Sequence, residues 1–351
     1  KRLGLGGEAL VYQLPDGKCA KIFKSKNNSV MKKEKIRIMV RKLGAMRAVD
    51  AALMSRLAWP EKMLYNEQRE WIGYIMPAFS NTHPFADYSY DTFPALIPNV
   101  SKADQIRMSV ALTELVDFLH YNNIVLCDIN TSNILFDNDQ NAYLIDLDSA
   151  QVAFEEKVFP TNVGLPDYLS PEHIRSCTFD FIKKKCDDVW ILQNLIFKIL
   201  TPCGHPYSSS IYCEDDREYV EKGIYPFQFD KHPAEEKIRG GPWYNVISHL
   251  PYYLKEGFWE SFHGEGKWFH EKERRPVSYW LNILVRYQED LPALTAYDAE
   301  SGKYLPSRAK KAPPPKAKVI SKESSSLADF NELLKKLPLE AKKNKSWDSM
   351  V

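Results

Sequence analysis

The 351-residue chain has no run of about 18 apolar residues, so no segment reads as a membrane-spanning helix. Its opening, KRLGLGGEAL, lacks the apolar centre of a signal peptide. The chain begins at Lys1 and enters a glycine-rich strand at once, which reads as a piece of a longer protein. The 6 cysteines are scattered, with no Cys-x-x-Cys pair. That argues against a disulfide framework and suits the reduced thiols of a cytoplasmic protein. Cys203, His205 and Cys213 fit no common zinc spacing. Neither sign of charge dominates: 47 Lys and Arg face 46 Asp and Glu, a net +1. This argues against a chain-wide nucleic-acid coat and leaves only local basic patches. No internal repeat is present, which excludes a solenoid.

What is there is ordinary globular material, 44% hydrophobic and 26% charged. The length predicts two lobes and a tail, with a core that needs no staples. Residues 1–24 read as short strands around glycines, with a turn at Pro15-Asp16-Gly17, where proline presets φ and glycine accepts a positive one. Residues 30–56 have helical spacing at Ile36, Val40 and Leu43. A second hairpin is predicted over 61–79, around a polar turn at Glu67–Glu70. From about residue 103 the period becomes helical, with Ile106, Val110, Leu115 and Leu119 on one face. Short strands follow at 134–136 and 142–145. Residues 188–200, DVWILQNLIFKIL, are apolar nearly all round and belong in a core. Further helices are predicted near 245–262 and 276–288. The fold class is therefore α+β, a small β-rich lobe (1–78) followed by a larger helical one (79–295). Residues 296–351 read as a Pro/Lys/Ser-rich linker with a short amphipathic helix at Leu327, Phe330, Leu333, Leu334 and Leu337.

Three motifs carry chemistry. Gly4-Leu5-Gly6-Gly7-Glu8-Ala9-Leu10-Val11 lets backbone amides fold over a phosphate chain without a Cβ clash, although a plain hairpin turn reads the same way. Lys21, on the strand after the turn, can meet phosphate oxygens beneath that loop. Glu34 is the best acidic partner for it on the next helix, against the alternative of a solvated charge among lysines. The strongest cluster is Asp128-Ile129-Asn130-Thr131-Ser132-Asn133 with Ile145-Asp146-Leu147-Asp148. It offers one base and oxygen ligands for a hard cation such as Mg²⁺.

In this order the motifs resemble those of a protein kinase catalytic domain, over about residues 3–290. Ala9 stands for the third glycine of the loop. Lys21, Asp128, Asn133 and Asp146 match the phosphate-holding lysine, the catalytic aspartate, the metal-binding asparagine and the metal-binding aspartate. Ser170-Pro171-Glu172, Asp188-Val189-Trp190 and Gly204-His205-Pro206-Tyr207 resemble later segments, and Arg275-Pro276 resembles the arginine that pairs with the carboxylate of Glu172. The resemblance implies a bilobal kinase-like fold that uses ATP and Mg²⁺. ATP would touch Gly4, Gly6, Gly7, Ala9, Val11, Ala20, Lys21, Met76, Ala78, Asn133 and Asp146, with adenine against Met76–Phe79. Lys21 would be held by Glu34. Asn133 and Asp146 would hold metal, with Asp148 a further candidate, and Asp128 would accept the proton of an attacking Ser or Thr hydroxyl. The D-x-N-x-x-N loop followed by D-x-D-S resembles a bacterial subgroup, some of whose members carry a helix-hairpin-helix DNA-binding domain. The tail shows no such segment.

The departures are specific. Leu126 and Cys127 replace the His and Arg that usually precede the catalytic aspartate, so no cationic pocket for an activation-segment phosphate is expected and Thr161 is not a strict switch. Cys127 reads as a small space-filling residue, since a reactive thiolate needs a cationic neighbour. Asn130 replaces the usual lysine, Leu147-Asp148 the usual Phe-Gly, and Leu165 a usual threonine. The leading expectation is a kinase for Ser/Thr of protein substrates, itself included. The alternatives are a small-molecule kinase of the aminoglycoside or choline type and a nucleotide-binding pseudokinase. Residues 308–345 hold eleven Lys or Arg, the one stretch that offers nucleic acid a surface.

Overall fold

The computed structural model describes residues 1–5, 7–24, 29–88, 100–160, 168–176, 182–201, 205–207, 216–227, 229, 247 and 250–301. Strands β1 (Arg2–Leu5), β2 (Ala9–Gln13), β3 (Lys18–Phe23), β4 (Lys62–Tyr65) and β5 (Trp71–Pro77) form one antiparallel sheet in the order β1-β2-β3-β5-β4. The expected turn joins β2 to β3, with Gly17 at φ 77°. Gly73 in β5 has a closer constraint: a Cβ there would meet the Lys21 carbonyl oxygen at 1.9 Å, so only glycine lets β5 lie against β3.

Helix α1 (Val30–Val49) starts where the Ser29 side chain accepts from the Lys32 amide at 3.1 Å. Its buried stripe is Lys35, Ile36, Ile38, Met39, Lys42, Ala45 and Met46, so two lysines face inward seven residues apart. The sequence predicts this helix to continue to residue 56. Instead it stops at Asp50, whose extended backbone and side-chain acceptance from the Leu53 amide at 2.8 Å start a separate turn, α2 (Ala51–Met54). A short polar residue that can cap a new helix wins over continued periodicity.

Beyond Pro77 the chain enters a second region. Strand β6 (Thr82–Pro84) pairs with β8 (Ile134–Asp137), which pairs with β9 (Ala142–Leu144). The two regions are stitched at β9: the Leu144 amide donates to Arg56 O at 3.0 Å and the Ala58 amide to Leu144 O at 2.9 Å. Helix α3 (Lys102–Tyr121) opens on a Ser101/Asp104 capping box. Strands β7 (Ile124–Val125), β10 (Gln151–Phe154) and β11 (Lys157–Phe159) form a third small sheet. Helices α4 (Pro171–Ser176), α5 (Lys185–Leu200), α6 (Asp216–Lys222), α7 (Tyr252–Phe262) and α8 (Val277–Ser301) complete the region. As its composition predicts, α5 is buried on nearly every side. Aromatic rings fill the space around it: Phe197 and Phe258 lie 5.1 Å apart, and Phe258 and Trp280 lie 5.5 Å apart. Helix α8 runs through the expected boundary at residue 295 to Ser301, since no glycine or proline interrupts it after Pro292. Among the described residues no helix is long and apolar enough to cross a membrane.

Two carboxylates, one partly and one wholly buried, lock this region to the loops above it. Glu172 receives the guanidinium of Arg274 in a forked pair at 2.8 and 3.1 Å. The sequence assigned this role to Arg275. Arg275 instead lies 4.7 Å over the Trp268 ring, while Arg274 is the arginine that turns into the core and also donates to Cys186 O and Phe269 O. The second is Asp188, wholly buried at the start of α5. It accepts from the backbone amides of Leu126 at 2.7 Å and Cys127 at 2.8 Å, and His120 Nε2 lies 2.9 Å away.

Asp188→Asn sets an amide N–H against one of two backbone N–H groups, so it should lower unfolding stability by about 1–3 kcal/mol. A urea unfolding curve matching the parent's would contradict that role. The inward lysine Lys42 yields a pH test. It donates to Asn122 O at 3.4 Å, and burial lowers its pKa to about 7. Unfolded, it titrates near ~10.4. Between these values the unfolded chain holds a proton that the folded chain lacks, so this group makes stability rise with pH across that window. Lys42→Met should therefore raise the melting temperature at pH 7, and the gain should shrink towards pH 10. A gain independent of pH would refute the account.

Candidate active site

Lys21 lies in the middle of β3, opposite Val11 of β2 and Tyr74 of β5. It is buried, and its ammonium is shared between Asp146 and Asp148. Burial alone would lower its pKa, but Asp148 first and Asp146 second hold it well above its ordinary value. Tyr74 OH donates to the same Asp148 oxygen at 2.7 Å. Burial raises the Asp148 carboxyl, yet Lys21 and the Tyr74 bond outweigh this and hold it below its ordinary value.

The loop carrying Asp146 follows β9 directly. The Ile145 amide donates to Asn133 O at 3.0 Å, which ties this loop to the one bearing Asp128. Asp146 adopts a left-handed conformation, φ 61°, and Leu147–Ser149 make a single 3-10 turn after it. Ser149 Oγ donates back to Asp146 O at 2.8 Å. Cys127 also has a left-handed φ of 64°, which its amide bond to Asp188 fixes. That turn presents Asp128. Asn130 Nδ2 donates to Asp128 Oδ1 at 3.1 Å, and Asn133 Nδ2 donates to Asp128 O at 3.2 Å. Burial, with Asp146 nearby, raises the Asp128 pKa against the lowering effect of these asparagine bonds.

Asp128, Asn133, Asp146 and Ser149 line one cleft of about 240 Å³. Asp128 also borders a second cleft of about 400 Å³, with Tyr168, Ser170, His173 and Lys183. The polar side chains of the first cleft all bear oxygen, a donor set that fits a hard cation such as Mg²⁺, and the rest of its lining is leucine and isoleucine. Among the described residues no group of three or more His, Cys, Asp or Glu could hold a metal by itself. A cation here would take part of its oxygens from a phosphate chain.

Of the expected site residues, Lys21, Asp128, Asn133 and Asp146 come together. Gly4 lies in β1 opposite Val11, and Ala9 and Ala20 are buried in the sheet. Met76 is buried opposite Cys19, and Ala78 is half-buried just beyond β5. Gly7 O accepts from Lys24 Nζ at 3.0 Å, and Glu8 pairs with Lys32 at 2.6 Å, which ties the glycine-rich turn to α1. Gly6, Leu165, Thr161, Cys203, Cys213 and residues 302–351 lie outside the described residues.

One expected pair does not form. Glu34 is bound to Arg37 at 2.9 Å rather than to Lys21, because helical phase turns it toward solvent and brings its neighbour Lys35 inward. Lys35 is buried; burial lowers its pKa to about 8 against the opposing charge of Asp148. Residue patterns missed Tyr74, Lys35 and the structural part of Asn130. A tyrosine directly across the ladder from Lys21 was the available signal for the first. Cys127 behaves as its composition predicts: burial, then Asp188, push its thiol well above the ordinary value, so it stays protonated.

The protein kinase domain family pattern matches residues 1–238. The chain is similar to protein kinase YegI of Escherichia coli (strain K12), 25% identical over 274 residues, covering 76% of this chain and 41% of that protein. The YegI of Escherichia coli O157:H7 is 25% identical over 303 residues, covering 84% of this chain and 45% of that protein. The cAMP-dependent protein kinase catalytic subunit of Dictyostelium discoideum is 32% identical over 117 residues, covering 33% of this chain and 17% of that one. The chain thus spans less than half the length of these relatives. With its β-sheet lobe, its helical lobe and the pattern match over most of its length, this chain belongs to the protein kinase domain family.

Proposed function

We propose that this chain is an ATP- and Mg²⁺-dependent protein kinase that transfers a phosphoryl group to Ser or Thr hydroxyls, its own among them. The observation that carries the reading is the convergence of Asp128, Asn133 and Asp146 on one cleft, with Lys21 reaching it from the sheet above. Backbone amides of residues 4–9 would cover the phosphates, and Met76 and Ala78 would border the adenine. Lys21 supplies a fixed positive charge for phosphate oxygens. Asp146 and the Asn133 amide oxygen are the groups available to a cation, since the Asn133 nitrogen is spent on Asp128. Bound there, Mg²⁺ would neutralise charge on the phosphate oxygens.

Asp128 stands between this cleft and the second one, where an acceptor hydroxyl can approach. Its Oδ1 is oriented by Asn130 at 3.1 Å, and Oδ2, which takes only a long 3.5 Å bond from Asn133 Nδ2, would accept the hydroxyl proton. Catalysis of this kind comes mostly from positioning, and a positioned base contributes about 10²–10⁴-fold. The Ser170-Pro171-Glu172 segment pinned by Arg274 favours a protein acceptor over a small one, because it shapes the wall of the second cleft with Tyr168. The paired YegI relatives are named as protein kinases, which agrees with this reading.

Intact-mass and phosphosite mapping after incubation with Mg²⁺ and ATP tests it, beside Asp128→Asn. The parent should acquire phosphate on Ser or Thr, and the variant should do so about 10²–10⁴-fold more slowly while still binding nucleotide. Nucleotide binding without transfer by the parent would make the chain a binding module. ATP turnover stimulated by small hydroxylated compounds and not by proteins would make it a small-molecule kinase.

A further inference from the structure

Lys21 has two carboxylate partners, and they differ in kind. The Asp146 side chain is 46% exposed and lines the cleft, so it is free to turn to a cation. The Asp148 side chain is 6% exposed, lies outside that cleft lining, and is held by Lys21 and by Tyr74 OH. Lys21 and Tyr74 face each other across the β3–β5 ladder, so one carboxylate oxygen is gripped from beneath two adjacent strands. Helix α1 offers this place no carboxylate. It offers buried Lys35, and the charge that most favours its ammonium is that of Asp148.

We propose that Asp148 is a positioning residue, which holds Lys21 in line with the nucleotide phosphates from the loop of Asp146 itself, and that it is not a metal ligand. The role rests on the kinase reading given above. The polarity of the buried pair is thereby reversed relative to the sequence expectation: the acid sits on the metal-binding loop and a cation sits on the helix. Lys21 then keeps its counterion whatever Glu34 does. Tyr74 fixes the Asp148 rotamer, so Lys21 is aimed rather than merely neutralised.

The test uses the full chain and the variants Asp148→Asn, Glu34→Gln, Lys21→Met, the Lys21→Met/Asp148→Asn double and the Lys21→Met/Glu34→Gln double. Unfolding midpoints come first, since they need no activity. Asp148→Asn and Lys21→Met should couple, with the double variant falling by less than the sum of the singles. Glu34→Gln should add independently to Lys21→Met. Rates of phosphoryl transfer at graded Mg²⁺ come second. Asp148→Asn should lower kcat/KM for ATP about 10- to 100-fold with the half-saturating Mg²⁺ unchanged. Glu34→Gln should leave kcat/KM within about twofold of the parent. If Asp148→Asn folds poorly, Tyr74→Phe removes only the steadying hydroxyl and should lower kcat/KM in the same direction.

A large rise in half-saturating Mg²⁺ for Asp148→Asn would make Asp148 a metal ligand and overturn the proposal. So would additive midpoints, or a Glu34→Gln defect as severe as that of Asp148→Asn. If the parent transfers no phosphoryl group, the kinase reading falls by itself. The midpoint coupling then decides alone whether Asp148 holds Lys21.

Discussion

The shape of the site depends on a carboxylate that never touches it. Asp188 is buried where an unpaired charge would be prohibitive, and it is tolerated only because two backbone amides and an imidazole nitrogen surround it. Those amides belong to Leu126 and Cys127. Binding both to one carboxylate forces the backbone at Cys127 into the left-handed region, and that bend aims Asp128 into the cleft. The helix that carries Asp188 is in turn immobilised by the aromatic rings packed around Phe197. Core packing is thereby converted into loop geometry: the large apolar interior fixes α5, α5 fixes Asp188, and Asp188 fixes the turn before Asp128.

A second buried charge does the same for the sheet. Asp148 is gripped by the Lys21 and Tyr74 side chains of β3 and β5, yet it sits on a loop that follows β9. The β-rich region and the helical region therefore meet at one carboxylate as well as at the backbone bonds between Leu144 and residues 56–58. A buried ion pair is weak support for stability but strong support for register, because its desolvation cost is offset in one arrangement only. Here the register in question is the height of Lys21 above Asp146.

Much of the fold was legible because the relevant signals are local. The Pro15-Asp16-Gly17 turn, the helical spacing from Ile106 to Leu119 and the all-round apolar run of α5 each carry their own physical reason. The clustering of Asp128, Asn133 and Asp146 was legible from spacing, since a loop and a strand end bring such residues together. What spacing does not encode is helical phase beside a sheet. Glu34 and Lys35 are neighbours in sequence and about 100° apart around the helix axis, so a one-residue difference decides which of them reaches the interior. The same ambiguity attends Arg274 and Arg275, where the Arg-Pro pair points to a turn but not to the side chain that enters it. The break at Asp50 was missed for a different reason: a residue with good capping geometry ends a helix that hydrophobic spacing alone would extend.

Cys127 shows how the loop accommodates its departure from the family pattern. An arginine at this place would bring a permanent charge beside Asp188 and a donor for an external phosphate. The thiol brings neither: it is buried, protonated and bonded to Val125 O at 3.3 Å. The backbone amide of the same residue nevertheless keeps its bond to Asp188, and that bond, not the side chain, sets the bend. The side chain at this position can therefore change without loss of the turn, provided the carboxylate beneath it stays buried and bound. The arrangement of Asp128 then draws on interactions internal to the two loops and α5. Asn130 completes it by orienting Asp128 from the position where the family usually places a lysine, so a neutral amide secures the aim of this carboxylate while bringing no charge beside it.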